Sequence, residues 1–130
     1  MSKQVTILVV DADPSFRESL ANHLLACGIE SFEMASSTTE AVEEISSSSF
    51  DVILVDLFMP NMKGLHFAQE LRKLVPETKI VLLIDDQQLP ALDAAGQSKL
   101  NFPTILKSFV IRTLPQLLSE ESNSLSLKRL

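Results

Sequence analysis

The sequence has no tryptophan, no tyrosine, a single cysteine and only three glycines in 130 residues. One thiol cannot form an internal disulfide, which fits a reducing cytoplasm. Few glycines, six prolines and a hydrophobic content of 45% exclude collagenous and disordered chains. Positive charge is also scarce, since 11 Lys and Arg stand against 17 Asp and Glu for a net charge of -6. Nucleic acid is therefore not expected as a direct partner, because a phosphate backbone needs a basic face. No apolar run reaches the ~18 residues of a membrane span, and the N-terminus lacks the charged and apolar regions of a secretory signal. What remains is one soluble domain, large enough to bury about two thirds of its unfolded surface.

The charge that is present sits at the ends of apolar runs. Residues 51–65, DVILVDLFMPNMKGL, form an apolar run that ends in one carboxylate, Asp56, followed at once by Met59-Pro60 and Lys63-Gly64. Runs of Val, Ile and Leu read as strands buried on both faces of a parallel sheet. In such sheets ligands and chemistry collect at the carboxyl ends of the strands. VTILVV leads into Asp11 and Asp13, KIVLLI leads into Asp85 and Asp86, and Thr104-Ile105-Leu106 delivers Lys107. Carboxylates and one ammonium are thus expected to converge at one sheet edge. Hard oxygen ligands of this kind suit Mg2+, which takes one or two carboxylates with phosphate oxygens and water. A merely solvated rim of charge is the simpler alternative.

Strand and helix patterns alternate along the chain. Phe16, Leu20, Leu24 and Cys27 repeat at helical spacing and Gly28 ends that helix, with Asp13-Pro14 as N-cap and first residue. Cys27, on the apolar side of that pattern, is not expected to act as a nucleophile. A weaker strand covers Ile29 to Ala35. Ser37-Thr38-Thr39-Glu40 is a capping box opening a helix with Ala41, Val42 and Ile45 inward, and Ser46 to Ser49 reads as a loop. Leu65, Ala68, Leu71, Leu74 and Val75 make a third helix that Pro76 stops. A short fourth helix is expected within Leu89 to Lys99, and Pro115 makes the last helix either kink or begin near it. His23 and His66, each read as lacking a second metal-type residue at helical spacing, are expected to be surface or half-buried side chains. Met34, Met59 and Met62 read as packing residues. Alternation of this kind implies an α/β fold, a doubly wound parallel sheet with right-handed crossovers.

From Lys3 to about Leu118 the chain resembles the receiver domain of two-component response regulators. The resemblance rests on Asp11 after the first strand, Asp56 after the third with Met59-Pro60 and Gly64 following, and Lys107 after the fifth. It implies five strands in the order 2-1-3-4-5 with helices on both faces, the flavodoxin-like arrangement. The domain is expected over residues 1–118, with 119–130 a polar tail or linker start. It implies further that Asp56 accepts a phosphoryl group and that Lys107 binds a phosphoryl oxygen. Asp11, Asp56 and the backbone carbonyl of Phe58 would hold Mg2+, with Asp13 as a possible further ligand. A sensor histidine kinase or phosphotransfer protein is the implied partner, and the fourth and fifth helices are the implied surface for homodimerisation. The role is regulatory, with at most slow self-phosphorylation and self-dephosphorylation, rather than that of an enzyme.

Five positions depart from the family pattern. Ala12 stands in place of the second acidic residue, a direct Mg2+ ligand, and Asp85 in place of a Ser or Thr that would bind the phosphoryl group. Ser108 replaces a Pro, Lys63 an acidic residue and Thr104 an aromatic residue. A carboxylate at 85 could repel an incoming phosphoryl group, by roughly 1 to 4 kcal/mol at 4 Å. It could equally pair with Lys107, or supply the missing ligand. Weak Mg2+ binding is expected, and a degenerate receiver acting as a phosphorylation-independent interaction module stands as the alternative. A remoter alternative is a haloacid-dehalogenase-like phosphatase, since Asp11-Ala12-Asp13 resembles the D-x-D motif of those enzymes, with Asp11 as nucleophile and Asp13 as acid.

Overall fold

In a computed structural model, residues 5–60, 63–88, 101–110, 112 and 114 are described. Strands β1 (Ile7–Val10), β2 (Phe32–Ala35), β3 (Val52–Asp56), β4 (Lys79–Ile84) and β5 (Thr104–Leu106) form one sheet in the order β2-β1-β3-β4-β5. Every pairing is parallel. Helices α1 (Pro14–Ala26), α2 (Thr38–Ser47) and α3 (Lys63–Leu74) provide the connections between the first four strands. This is the expected doubly wound fold.

Strand alternation sorts the core into two halves. Leu8, Val10, Ile53, Val55, Ile80, Leu82 and Ile84 pack on one face with Ala41 of α2 and Phe67, Ala68 and Leu71 of α3. The residues between them, Ile7, Val9, Val52, Leu54, Val81 and Leu83, pack on the other face with Leu20 and Leu24 of α1 and with Val110 and Leu114. Because side chains alternate with a period of two, a strand buried on both faces must be apolar throughout. That is why the runs leading to Asp11, Asp56 and Asp85 are continuous.

The helix starts follow the expected local chemistry with one shift. Asp13 is the N-cap of α1, and its carboxylate accepts from Ser15 N–H at 3.0 Å. Ser37 caps α2 by accepting from Glu40 N–H at 3.1 Å, but the Glu40 carboxylate reaches Ser36 N–H and hydroxyl instead of closing the box on Ser37. Helix α2 runs on through Ser47, so the expected loop begins two residues late. The Ser46 and Ser47 hydroxyls donate to the carbonyls of Val42, Glu43 and Glu44, which keeps them compatible with helix.

Other expectations need correcting. Strand β2 starts at Phe32 rather than Ile29. Val42 and Leu74 are exposed, since Ala41 and Ile45, and Gly64, Phe67, Ala68 and Leu71, carry the buried stripes and leave them on the flanks. Cys27 is exposed at the C-cap of α1 instead of lying on its apolar side, with Gly28 beyond it at φ +82°. The last helical segment is already formed at residues 107–110, so it does not begin near Pro115. The expected fourth helix, Met62, Pro115 with its kink, and the 119–130 tail lie outside the described residues. Among the described residues no helix is long and apolar enough to cross a membrane.

Gly64 fixes how closely α3 approaches the end of β3. A Cβ there would lie 2.0 Å from the Asp56 carbonyl oxygen and 2.4 Å from that of Leu57. Backbone atoms on both sides cannot yield as a flexible side chain would. Gly64→Ala is therefore expected to lower stability by about 3 kcal/mol, measured as a fall in the urea midpoint. A midpoint equal to that of the parent would contradict the close approach.

Candidate functional site

The ends of β1, β3 and β5 bring Asp11, Asp56 and Lys107 together. Lys107 Nζ lies 2.7 Å from Asp11 Oδ2 and 3.5 Å from Asp56 Oδ2. All three are largely enclosed: the Asp11 side chain is 0% exposed, Asp56 9% and Lys107 13%. The second oxygen of each carboxylate is committed to the turn that follows its strand. Asp11 Oδ1 accepts from Asp13 N–H at 2.9 Å, and Asp56 Oδ1 accepts from Phe58 N–H at 3.1 Å. Arg17, on the second turn of α1, donates to the Asp11 carbonyl at 2.7 Å and ties the helix to the strand end. No pattern in the sequence singled out this residue.

Asp11 Oδ2 is fully buried, and its partner is the Lys107 ammonium at 2.7 Å. Two carboxylates thus face one cation. Burial, with the Asp11 charge beside it, pushes the Asp56 carboxyl above its ordinary value, while Lys107 and the Phe58 N–H pull the other way without prevailing. Burial also works against the charged form of Lys107. Hydrogen bonding to Asp11 and the charges of both carboxylates outweigh that effect and raise its value.

The departing residues fall around this cluster. Asp85 does not pair with Lys107: its carboxylate accepts from Gln87 N–H at 3.0 Å and opens the short 3-10 turn Asp86–Gln88. Ser108 donates to both oxygens of Asp86, at 3.0 and 3.1 Å, and so links the turns after β4 and β5. Thr104 is half-buried, with its hydroxyl on the Phe102 carbonyl at 3.1 Å, and Lys63 is exposed. Asp13 is exposed and occupied as a cap. Both histidines do have a metal-type neighbour at helical spacing, contrary to expectation: Cys27 is four residues on from His23, with Sγ 3.5 Å from Nε2, and Glu70 is four residues on from His66 in α3.

Fold and site converge with known proteins. The family model for the response regulator receiver domain matches residues 7–119. The chain belongs to the response regulator receiver family. The response regulator MprA of Mycobacterium bovis is 33% identical over 112 residues, which are 83% of this chain and 48% of that protein. MprA of Mycobacterium tuberculosis shows the same identity and coverage. The chain therefore spans about half the length of these curated relatives.

Among solved structures, the Thermotoga maritima regulator TrrA, in complex with Mg2+ and beryllofluoride, has a TM-score of 0.72 at 30% identity. The match covers 89% of this chain and 97% of that one. A CheY-like receiver from Methanospirillum hungatei has a TM-score of 0.74, covers 98% of both chains, and at 23% identity speaks for the fold. This protein is a receiver domain of two-component signalling, a family in which phosphorylation falls on an aspartate and the role is regulatory. The family match and the strand order favour the receiver over the phosphatase alternative.

The two carboxylates suit Mg2+ in part. Asp11 presents a buried oxygen whose partner is the Lys107 ammonium, and Asp56 a second anionic ligand. Ala12 adds none, and among the described residues no three His, Cys, Asp or Glu side chains gather as a metal-binding group.

The Asp56 environment has a pH consequence. Its folded form favours the protonated acid, so the stability it contributes is fully present below the ordinary carboxylate value and is lost as pH rises through the raised one. Asp56→Asn removes that loss and is expected to raise Tm at neutral pH by on the order of a few degrees, with the difference closing in acid. Thermal unfolding across pH checks this, and a constant difference between variant and parent would contradict it. Lys107→Met leaves both carboxylates without a cation and is expected to destabilise by on the order of 3 kcal/mol, measured by denaturant unfolding.

Proposed function

We propose that Asp56 is the phosphoacceptor of this receiver and that Lys107 binds a phosphoryl oxygen. The supporting observation is the buried carboxylate at the end of β3 with an ammonium 3.5 Å away. An Asp56 oxygen attacks the phosphorus of a kinase phosphohistidine or a small acyl phosphate. The new P–O bond forms as the bond to the donor nitrogen or oxygen breaks, and the donor leaves with that electron pair. Lys107 offsets the charge that collects on the phosphoryl oxygens. The Phe58 N–H keeps the Asp56 carboxylate oriented. Asp11, Asp56 and the Phe58 carbonyl would hold Mg2+, and the ion would supply further positive charge at the phosphoryl oxygens.

Binding of that ion is proposed to be weak, since Ala12 offers no ligand and Asp13 is engaged as a cap. Asp85 stands where a phosphoryl-binding hydroxyl would help, and adds negative charge there. Phosphorylation is accordingly slow. The partner is a sensor kinase or phosphotransfer protein in the cytoplasm, residues 1–118 form the working domain, and self-association uses the region of the fourth and fifth helices. This domain itself contacts no nucleic acid.

A second reading, a degenerate receiver that acts by binding alone, is favoured by one distance: Lys107 is closer to Asp11 than to Asp56. Intact mass after incubation with acetyl phosphate and Mg2+ separates the two, with Asp56→Asn as control. The expected result is a slow gain of one phosphoryl group that the control lacks. No gain from either acetyl phosphate or a kinase would favour the binding module.

The substituted positions have their own test. Ala12→Asp with Asp85→Thr is expected to tighten Mg2+ about tenfold or more and to speed phosphorylation, read by titration and by mass. A double variant as inert as the parent would show that those two positions do not limit the chemistry.

A further inference from the structure

Lys107 has a third neighbour besides the two carboxylates. Its ammonium lies over the ring of Phe16, 4.9 Å from the centroid. Phe16 is the third residue of α1 and packs half-buried against the core face formed by Ile7, Val9, Leu20 and Leu24. A ring face carries partial negative charge and attracts a cation within about 6 Å, more strongly where water is excluded. At 13% exposure Lys107 is such a cation.

The same ammonium is 2.7 Å from Asp11 and 3.5 Å from Asp56. Asp11 follows β1 directly and Phe16 stands in the first turn of α1, so both attractions belong to the β1–α1 side of the pocket. The carboxylate that would carry the phosphoryl group ends the neighbouring strand β3 and is the more distant of the two, at 3.5 Å against 2.7 Å. A phosphoryl group on Asp56 would add negative charge there and draw the ammonium across, against whatever holds it at rest.

We propose that Phe16 is a positioning residue for Lys107: its ring and Asp11 together hold the ammonium on the β1–α1 side at rest, and the ring sets part of the cost of its passage to Asp56. The proposal rests on the reading of Asp56 as phosphoacceptor only for the second half of that statement. The ring contact itself stands on the geometry of the pocket.

The two halves are tested separately. Side-chain NMR of Lys107 reads the contact directly, because protons above an aromatic face are shifted upfield. The Lys107 Hε signals are expected to lose that shift in Phe16→Leu and to keep it in Phe16→Tyr. Signals unchanged in Phe16→Leu would overturn the assignment. The passage is read from the rate of phosphoryl uptake from acetyl phosphate. Loss of the ring is expected to speed uptake about two- to fivefold, with Phe16→Tyr restoring the parent rate.

A Phe16→Leu protein that is equally fast, or slower, overturns the proposed cost. An acceleration that persists in a Lys107→Met background also overturns it, since the ring would then act through packing. Should the parent take up no phosphoryl group from acetyl phosphate or a kinase, the reading of Asp56 fails and the claimed passage with it. The NMR comparison still decides whether Phe16 positions the ammonium.

Discussion

Two buried carboxylates share a single ammonium, and the functional end of this protein is organised by that shortage of positive charge. Each acid is held by a main-chain N–H two residues on, Asp13 for Asp11 and Phe58 for Asp56. Neither can turn away without freeing a donor. Lys107 is drawn to both, nearer to Asp11. Burial, with the Asp11 charge beside it, raises the Asp56 carboxyl above its ordinary value. The shortage of positive charge also makes the pocket receptive to any further cation, which is the physical setting in which a divalent ion would act.

The sheet makes that cluster possible. Parallel strands deliver their carboxyl ends to one edge, and β1 and β3 are direct neighbours. β5 stands two places from β3, and Lys107 spans the distance with its long side chain. Its stem crosses the end of the sheet while its charge stays at the acids. A shorter cation at that position would not reach.

Much of this could be read from the residues. Runs apolar on every residue indicate strands covered on both sides, so the sheet, its parallel sense and the acids at its rim were legible, as were the Asp13 and Ser37 caps. The family resemblance supplied the strand order. What failed was finer. Val42 and Leu74 are apolar and fall near the inward stripe, and only packing decides which flank is covered. Three possible parts for Asp85 stayed open, because a carboxylate at a strand end can bind a cation or cap a turn with equal ease. The structure shows it capping a turn. The Phe16 ring and the Arg17 bond escaped notice because both read as ordinary positions of an amphipathic helix. The ring's part depends on a lysine 91 positions away (107 − 16).

Ser108 changes the mechanics of the pocket rim. A proline at that position has no hydroxyl, and the turns after β4 and β5 would each keep their own degrees of freedom. Here one hydroxyl bridges both oxygens of Asp86. While the bridge holds, the turn after β4 and the helical segment after β5 are tied by one exposed hydrogen bond of about 1 kcal/mol, so displacing either strains the other. The residue beside the pocket's lysine thus adds a weak tether between two strands' ends that a proline could not supply.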